Sequence, residues 1–75
     1  MSKTLDTLTV GQSGTVVAVN GLNTSLRRRL LDMGLTPNTQ VEVMRFAPLG
    51  DPMELNVRGY SLTIRKEDAK LIEIA

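Results

Sequence analysis

A chain of 75 residues with neither cysteine nor histidine has few ways to hold a fold together. Domains this small bury only about 60–65% of the surface that their unfolded chains expose. Many add disulfides or a structural zinc to compensate. Both routes are closed here, because disulfides need cysteine and the usual zinc and iron–sulfur ligand sets need cysteine or histidine. The core must come from apolar burial alone, and the chain is expected to form one small domain over residues 1–75. The same absence removes Ser-His-Asp and Cys-His nucleophiles and any histidine acid or base. A metal could be held only by carboxylates and carbonyl oxygens, and the pairs Asp51/Glu54 and Glu67/Asp68 are too few ligands to hold one. No metal site, cofactor or catalytic residue is expected.

Charge and hydropathy narrow the class further. Nine Lys and Arg face eight Asp and Glu, a net charge of +1, so the chain as a whole lacks the footprint of a nucleic-acid binder. A hydrophobic content of 41% is that of a globular chain and not of a disordered one. No apolar run approaches the ~20 residues of a membrane span. Met1-Ser2-Lys3-Thr4 does not open a signal peptide. The expectation is a cytoplasmic protein that does not insert into a membrane itself.

Periodicity changes several times along the chain, and turn residues mark each change. Leu5 and Leu8 suit one helical turn, and Gly11 and Gly14 then read as a turn. Thr15 to Asn20 is β-branched and reads as a strand ended by Asn20-Gly21. Thr24 to Met33 is the best helix, with Asn23, Thr24 or Ser25 as cap and Gly34 where a left-handed residue ends a helix. With Leu26 set at zero, Leu30 falls near ~40° and Met33 near ~340°, a narrow core stripe, while Leu31 falls near ~140°, outside it. Thr36-Pro37-Asn38-Thr39 is a turn in which Asn38 tolerates positive φ. Gln40 to Phe46 is a strand whose alternation slips after Val43, which a bulge near Arg45 would reconcile. Met53, Leu55 and Val57 alternate with polar residues, Gly59-Tyr60 suits a two-residue hairpin turn, and Leu62 and Ile64 alternate again. Lys66 to Lys70 suits a helical turn, and Ile72 and Ile74 close a last strand. The sum is mainly β: a small SH3-like barrel of about five strands, with one α-helix inserted after the first strand and one or two short helical turns.

Two segments suggest a binding surface. Arg27-Arg28-Arg29 either forms a solvated helix face, with Arg28 and Arg29 pairing to Asp32, or contacts a partner. Leu31, together with Met33 and Leu35 at the helix end, is either half-exposed filler or a second apolar flank for docking. Pro48-Leu49-Gly50-Asp51-Pro52 is held by two prolines and carries an apolar tip. A pre-ordered loop of this kind loses less entropy on docking. Phe46 and Tyr60 are the only aromatics, too few for a base-stacking platform.

Several of these elements together resemble a known family. They are Leu22, Leu26, Arg28-Arg29-Leu30-Leu31-Asp32-Met33-Gly34-Leu35, Pro37, Val41-Glu42-Val43, Ala47 to Pro52, Val57-Arg58-Gly59-Tyr60, and Leu62 to Lys66 followed by Ala69. The combination is similar to ferrous iron transport protein A, FeoA, over essentially residues 5–74. The resemblance departs at Asn38, where the family commonly has glycine. It implies an SH3-like barrel and a small cytosolic, non-enzymatic accessory of bacterial ferrous iron uptake. It also implies a partner, the cytosolic GTP-binding region of the FeoB membrane transporter, which would recruit the chain to the inner face of the membrane. On this reading the docking residues are Arg27, Leu30, Leu31, Met33, Pro48, Leu49, Gly50, Asp51 and Pro52, with Gly14, Gly21, Gly34, Asn38 and Gly59 as structural turns. Leu30 would act by holding the helix to the barrel, and self-association stays open. The alternative is a regulatory or nucleic-acid-linked module similar to the C-terminal domain of iron-dependent repressors, using Arg27, Arg28, Arg29, Arg45 and Arg65.

Overall fold

The alternating segments become strands and the 3.6-periodic segment becomes the one long helix. The computed structural model describes residues 3–21 and 24–75; Leu22 and the candidate cap Asn23 lie outside the described residues. The described strands are β1 (Lys3–Thr4), β2 (Ser13–Val19), β3 (Gln40–Phe46), β4 (Met53–Val57), β5 (Tyr60–Ile64) and β6 (Ile72–Ile74). They form one antiparallel sheet in the order β1-β6-β2-β3-β4-β5. Helix α1 (Thr24–Asp32) is inserted between β2 and β3, the single-turn helix α2 (Lys66–Ala69) follows β5, and a 3-10 turn (Leu5–Thr7) follows β1. The sequence reading missed β1, a two-residue strand too short to carry a periodic signal.

Two bulges let these short strands curl around one core. In β2 the register against β6 slips between Val16 and Ala18, so Val16 and Val19 both point inward although they are three residues apart, and Val17 is turned out. In β3 the slip falls between Val43 and Arg45, which leaves Met44 outside and returns Phe46 to the inner side. Each extra residue bends its strand and increases the local twist. The buried cluster joins Leu5, Leu8, Val16, Leu30, Leu35, Val41, Val43, Met53, Leu55, Val57, Ile72 and Ile74 from all parts of the chain. β1 and β5 end the sheet and do not pair with each other, so strand pairing leaves the barrel open. The 3-10 turn and α2 pack together, burying Leu5 and Ala69.

Two local readings need correction. Gly14 is not a turn residue: it lies in β2 opposite Val41, where an added Cβ would stand 3.0 Å from Ile74 Cδ1. The turn is at Gly11 instead, with φ 87°. The hairpin turn between β4 and β5 is Arg58-Gly59 and not Gly59-Tyr60. Both residues have positive φ, 52° and 89°, as a type I′ turn requires to match the strand twist. Val57 therefore pairs with Tyr60, and Gly59 N–H donates to Asn56 Oδ1 at 3.1 Å.

Candidate docking surface

Helix α1 is held to the barrel chiefly at its C-terminal end. Leu35 N–H donates to the Leu30 carbonyl at 3.2 Å and Gly34 N–H to the Leu31 carbonyl at 3.0 Å. With Gly34 at φ 103° this is a Schellman motif, which satisfies the last carbonyls and brings the buried Leu30 and Leu35 together. Tyr60 reaches over from β5, and its hydroxyl donates to the Met33 carbonyl at 2.6 Å. On the side of β2, Arg27 Nε–H donates to the Val19 carbonyl at 2.9 Å. Arg27 therefore ties the helix to the sheet while remaining exposed. Leu31 and Met33 are half-buried and pack against the core cluster. Leu31 is thus a flank of the core with a partly open edge, not a separate apolar stripe.

The arginine run does not pair as the helix spacing suggests. Among the described residues no bond joins Asp32 to Arg28 or Arg29, and the one ion pair is Arg45–Glu54, at 2.9 Å between β3 and β4. The guanidinium groups of Arg28, Arg29 and Arg65 have no hydrogen-bonding or ionic partner among the described residues. Arg27, Arg28, Leu31 and Asp32 line one shallow cleft on α1, and Leu26, Arg29, Arg65 and Asp68 line another between α1 and α2.

The loop from Pro48 to Pro52 is tied at both ends. Ala47 N–H donates to the Pro52 carbonyl at 2.9 Å, and Gly50 N–H to the Ala47 carbonyl at 2.7 Å. The Asp51 carboxylate accepts from Lys66 N–H at 2.9 Å and so caps α2 from outside it. The Lys66 ammonium lies 4.8 Å from the centre of the Phe46 ring, a cation–π contact beneath the loop. Pro48, Asp51 and Pro52 are exposed and Gly50 is half-buried. Leu49 is 96% exposed at the tip.

The helix and the loop approach each other through α2, on the side of the helix's N-terminal half. The C-terminal end of α1 abuts Tyr60 and Val57, whereas the loop enters β4 at Met53. Four residues of strand separate those points by about 13 Å. The N-terminal half of α1 lies next to Arg65 and Asp68, and Asp51 of the loop is bonded to the adjoining Lys66. The part of α1 on the loop side is therefore Leu26, which the sequence reading had not chosen for docking, and Arg29, which it weighed only as part of the arginine run. No sequence signal joins Arg29 to Arg65, because the chain passes through β3, β4 and β5 between them. Among the described residues no three acidic side chains gather in one place, and no helix is long and apolar enough to cross a membrane.

The family model for the FeoA domain matches residues 3–75. A Porphyromonas gingivalis protein described as an Fe(2+) transport protein A/Fe(2+) transporter FeoB fusion is 34% identical over 70 residues, which cover 93% of this chain. The chain spans only 8% of the length of that relative. The solution structure of FeoA from Chlorobium tepidum superposes with a TM-score of 0.87 at 40% identity, covering 96% of this chain and 68% of that one. The zinc complex of Stenotrophomonas maltophilia FeoA, described as a prokaryotic SH3 domain protein, gives 0.85 at 25% identity, covering 97% and 89%. A manganese-dependent transcriptional repressor bound to manganese gives 0.89 at 15% identity over 99% of this chain and 36% of that one, a likeness of fold alone.

Proposed function

Because this chain belongs to the FeoA domain family, we propose that it is a non-enzymatic accessory of ferrous iron uptake that docks on the cytosolic GTP-binding region of a FeoB-type transporter and regulates or assembles it. The fusion relative supports the pairing, since it carries both activities' names on one polypeptide. The reading places the chain in the cytoplasm, at the inner face of the membrane when bound. The observation that carries the site is Leu49, 96% exposed on a loop whose ends are fixed by hydrogen bonds and whose Asp51 is bonded to α2. A fully solvated leucine held in one place is a ready anchor, and burying it on a partner gains about 1.5–3 kcal/mol. Pro48, Gly50, Asp51 and Pro52 shape this anchor. Arg27, Leu31 and Met33 border the helix side, and Leu30 acts from the core.

The test is capture of the purified transporter, and separately of its cytosolic region, by the chain and by Leu49→Ser, with GTP hydrolysis measured in each complex. Loss of capture in Leu49→Ser with an unchanged circular dichroism spectrum is the expected result. Full capture by Leu49→Ser removes the loop from the site, and no capture by the unaltered chain removes the partner.

A further inference from the structure

Between α1 and α2 lies a cleft whose charges do not balance. Arg29 projects from α1 and Arg65 from the junction of β5 and α2, and both line it with Asp68 and the half-buried Leu26. Neither guanidinium has a hydrogen bond or ion pair among the described residues. Three acids elsewhere are engaged within the chain: Glu54 binds Arg45, Asp51 binds the Lys66 amide, and Glu73 accepts from Asn20. Two guanidinium groups and one carboxylate leave this cleft with a net positive charge.

We infer that the cleft receives a carboxylate side chain from an acidic, partly apolar segment of the protein partner. This rests on the docking reading above and names the chemistry of the surface beside the loop. A single carboxylate balances the cleft, and guanidinium groups bind carboxylates through paired, directional hydrogen bonds. A phosphate monoester, unlike a singly charged phosphodiester, would bring a second negative charge, which Asp68 repels. Leu26 supplies apolar contact at the edge of the cleft, a mixture typical of protein interfaces. A nucleic-acid site instead needs a continuous basic stripe, and Asp32 and Asp68 interrupt this one. The cleft adjoins the loop through the Asp51–Lys66 bond, so one partner segment could reach both Leu49 and Arg29.

The test titrates the full chain with an acetylated, amidated peptide of repeated Glu-Glu-Leu, followed by amide and arginine Nε–H resonances. Shifts at Arg29 and Arg65 are expected. Binding should weaken about tenfold in the Arg29→Gln/Arg65→Gln double variant. It should also weaken as salt rises from about 50 to 300 mM, because exposed pairs are screened. Asp68→Asn should bind the peptide more tightly, an increase that mere loss of structure cannot produce. Equal binding by the double variant overturns the inference. So does a preference for single-stranded DNA or for anionic phospholipid vesicles over the peptide. The same variants against the transporter's cytosolic region separate the two proposals. Unchanged capture there rejects the cleft and keeps the partner, whereas no capture by the unaltered chain rejects the partner and leaves the peptide titration to decide the cleft.

Discussion

At Gly34 the φ angle is 103°, and an added Cβ would overlap Tyr60 Oη. The first fact penalises any L side chain by about 1–2 kcal/mol. The second forces Tyr60 off the Met33 carbonyl or shifts the end of α1. We expect Gly34→Ala to lower stability by about 2–4 kcal/mol, read as a fall in the thermal midpoint. The two causes separate in a double-mutant cycle with Tyr60→Phe. Without the hydroxyl, the next nearest atom to the new Cβ is Tyr60 Cζ at 3.6 Å, an ordinary contact. Gly34→Ala should then cost only about 1–2 kcal/mol, the backbone part. Equal costs in both backgrounds would show that the hydroxyl yields freely. Gly59, with φ 89° and nothing near its absent Cβ, is the control for backbone strain alone. The sequence pointed to Gly34 as a helix end but held no sign of Tyr60, because that approach depends on the Arg58-Gly59 turn. Placing the turn one residue later turned Tyr60 out of its strand, and with it the contact to the helix.

At the scale of elements, α2 is too short to be stable as an isolated helix. Its first residue has no cap from Arg65, the position where one would sit, and takes one from Asp51 in the preceding loop. Asp51→Ala should cost about 0.5–2 kcal/mol, the usual value of a lost N-terminal cap. Hydrogen exchange at the Lys66 amide should speed up while exchange at Leu55 in β4 tracks only global stability. If Lys66 keeps its protection, loop and helix are not coupled. This link was illegible in the sequence because Asp51 and Lys66 stand on either side of the β4–β5 hairpin. What periodicity could show was the strands themselves: Met53, Leu55 and Val57 alternate cleanly and are all fully buried. The slip after Val43 was legible as a bulge near Arg45. The equivalent slip at Val17 was not, since a run of β-branched residues looks the same in either register.

Across the whole molecule, the core and the candidate docking surface draw on different leucines. A 75-residue domain has about 4–11 kcal/mol of net stability. Leu30 is buried in the cluster that joins α1 to β4 and β6, and Leu30→Ala should cost about 2–5 kcal/mol through lost burial and the cavity left behind. That is a large share of the total, so any loss of transporter binding in this variant would follow from unfolding and should return when the variant is stabilised by cooling or an osmolyte. Leu49 is the reverse case. At 96% exposure it contributes almost nothing to the core, and Leu49→Ser should leave the unfolding free energy within about 0.5 kcal/mol. If the loop is the anchor, binding should nevertheless fall by about tenfold or more, and neither cooling nor osmolyte should restore it. Measuring denaturant midpoints and transporter affinity on both variants distinguishes the two roles. A Leu49→Ser chain that binds normally, beside a Leu30→Ala chain whose loss persists when it is fully folded, would move the docking surface from the loop to the helix.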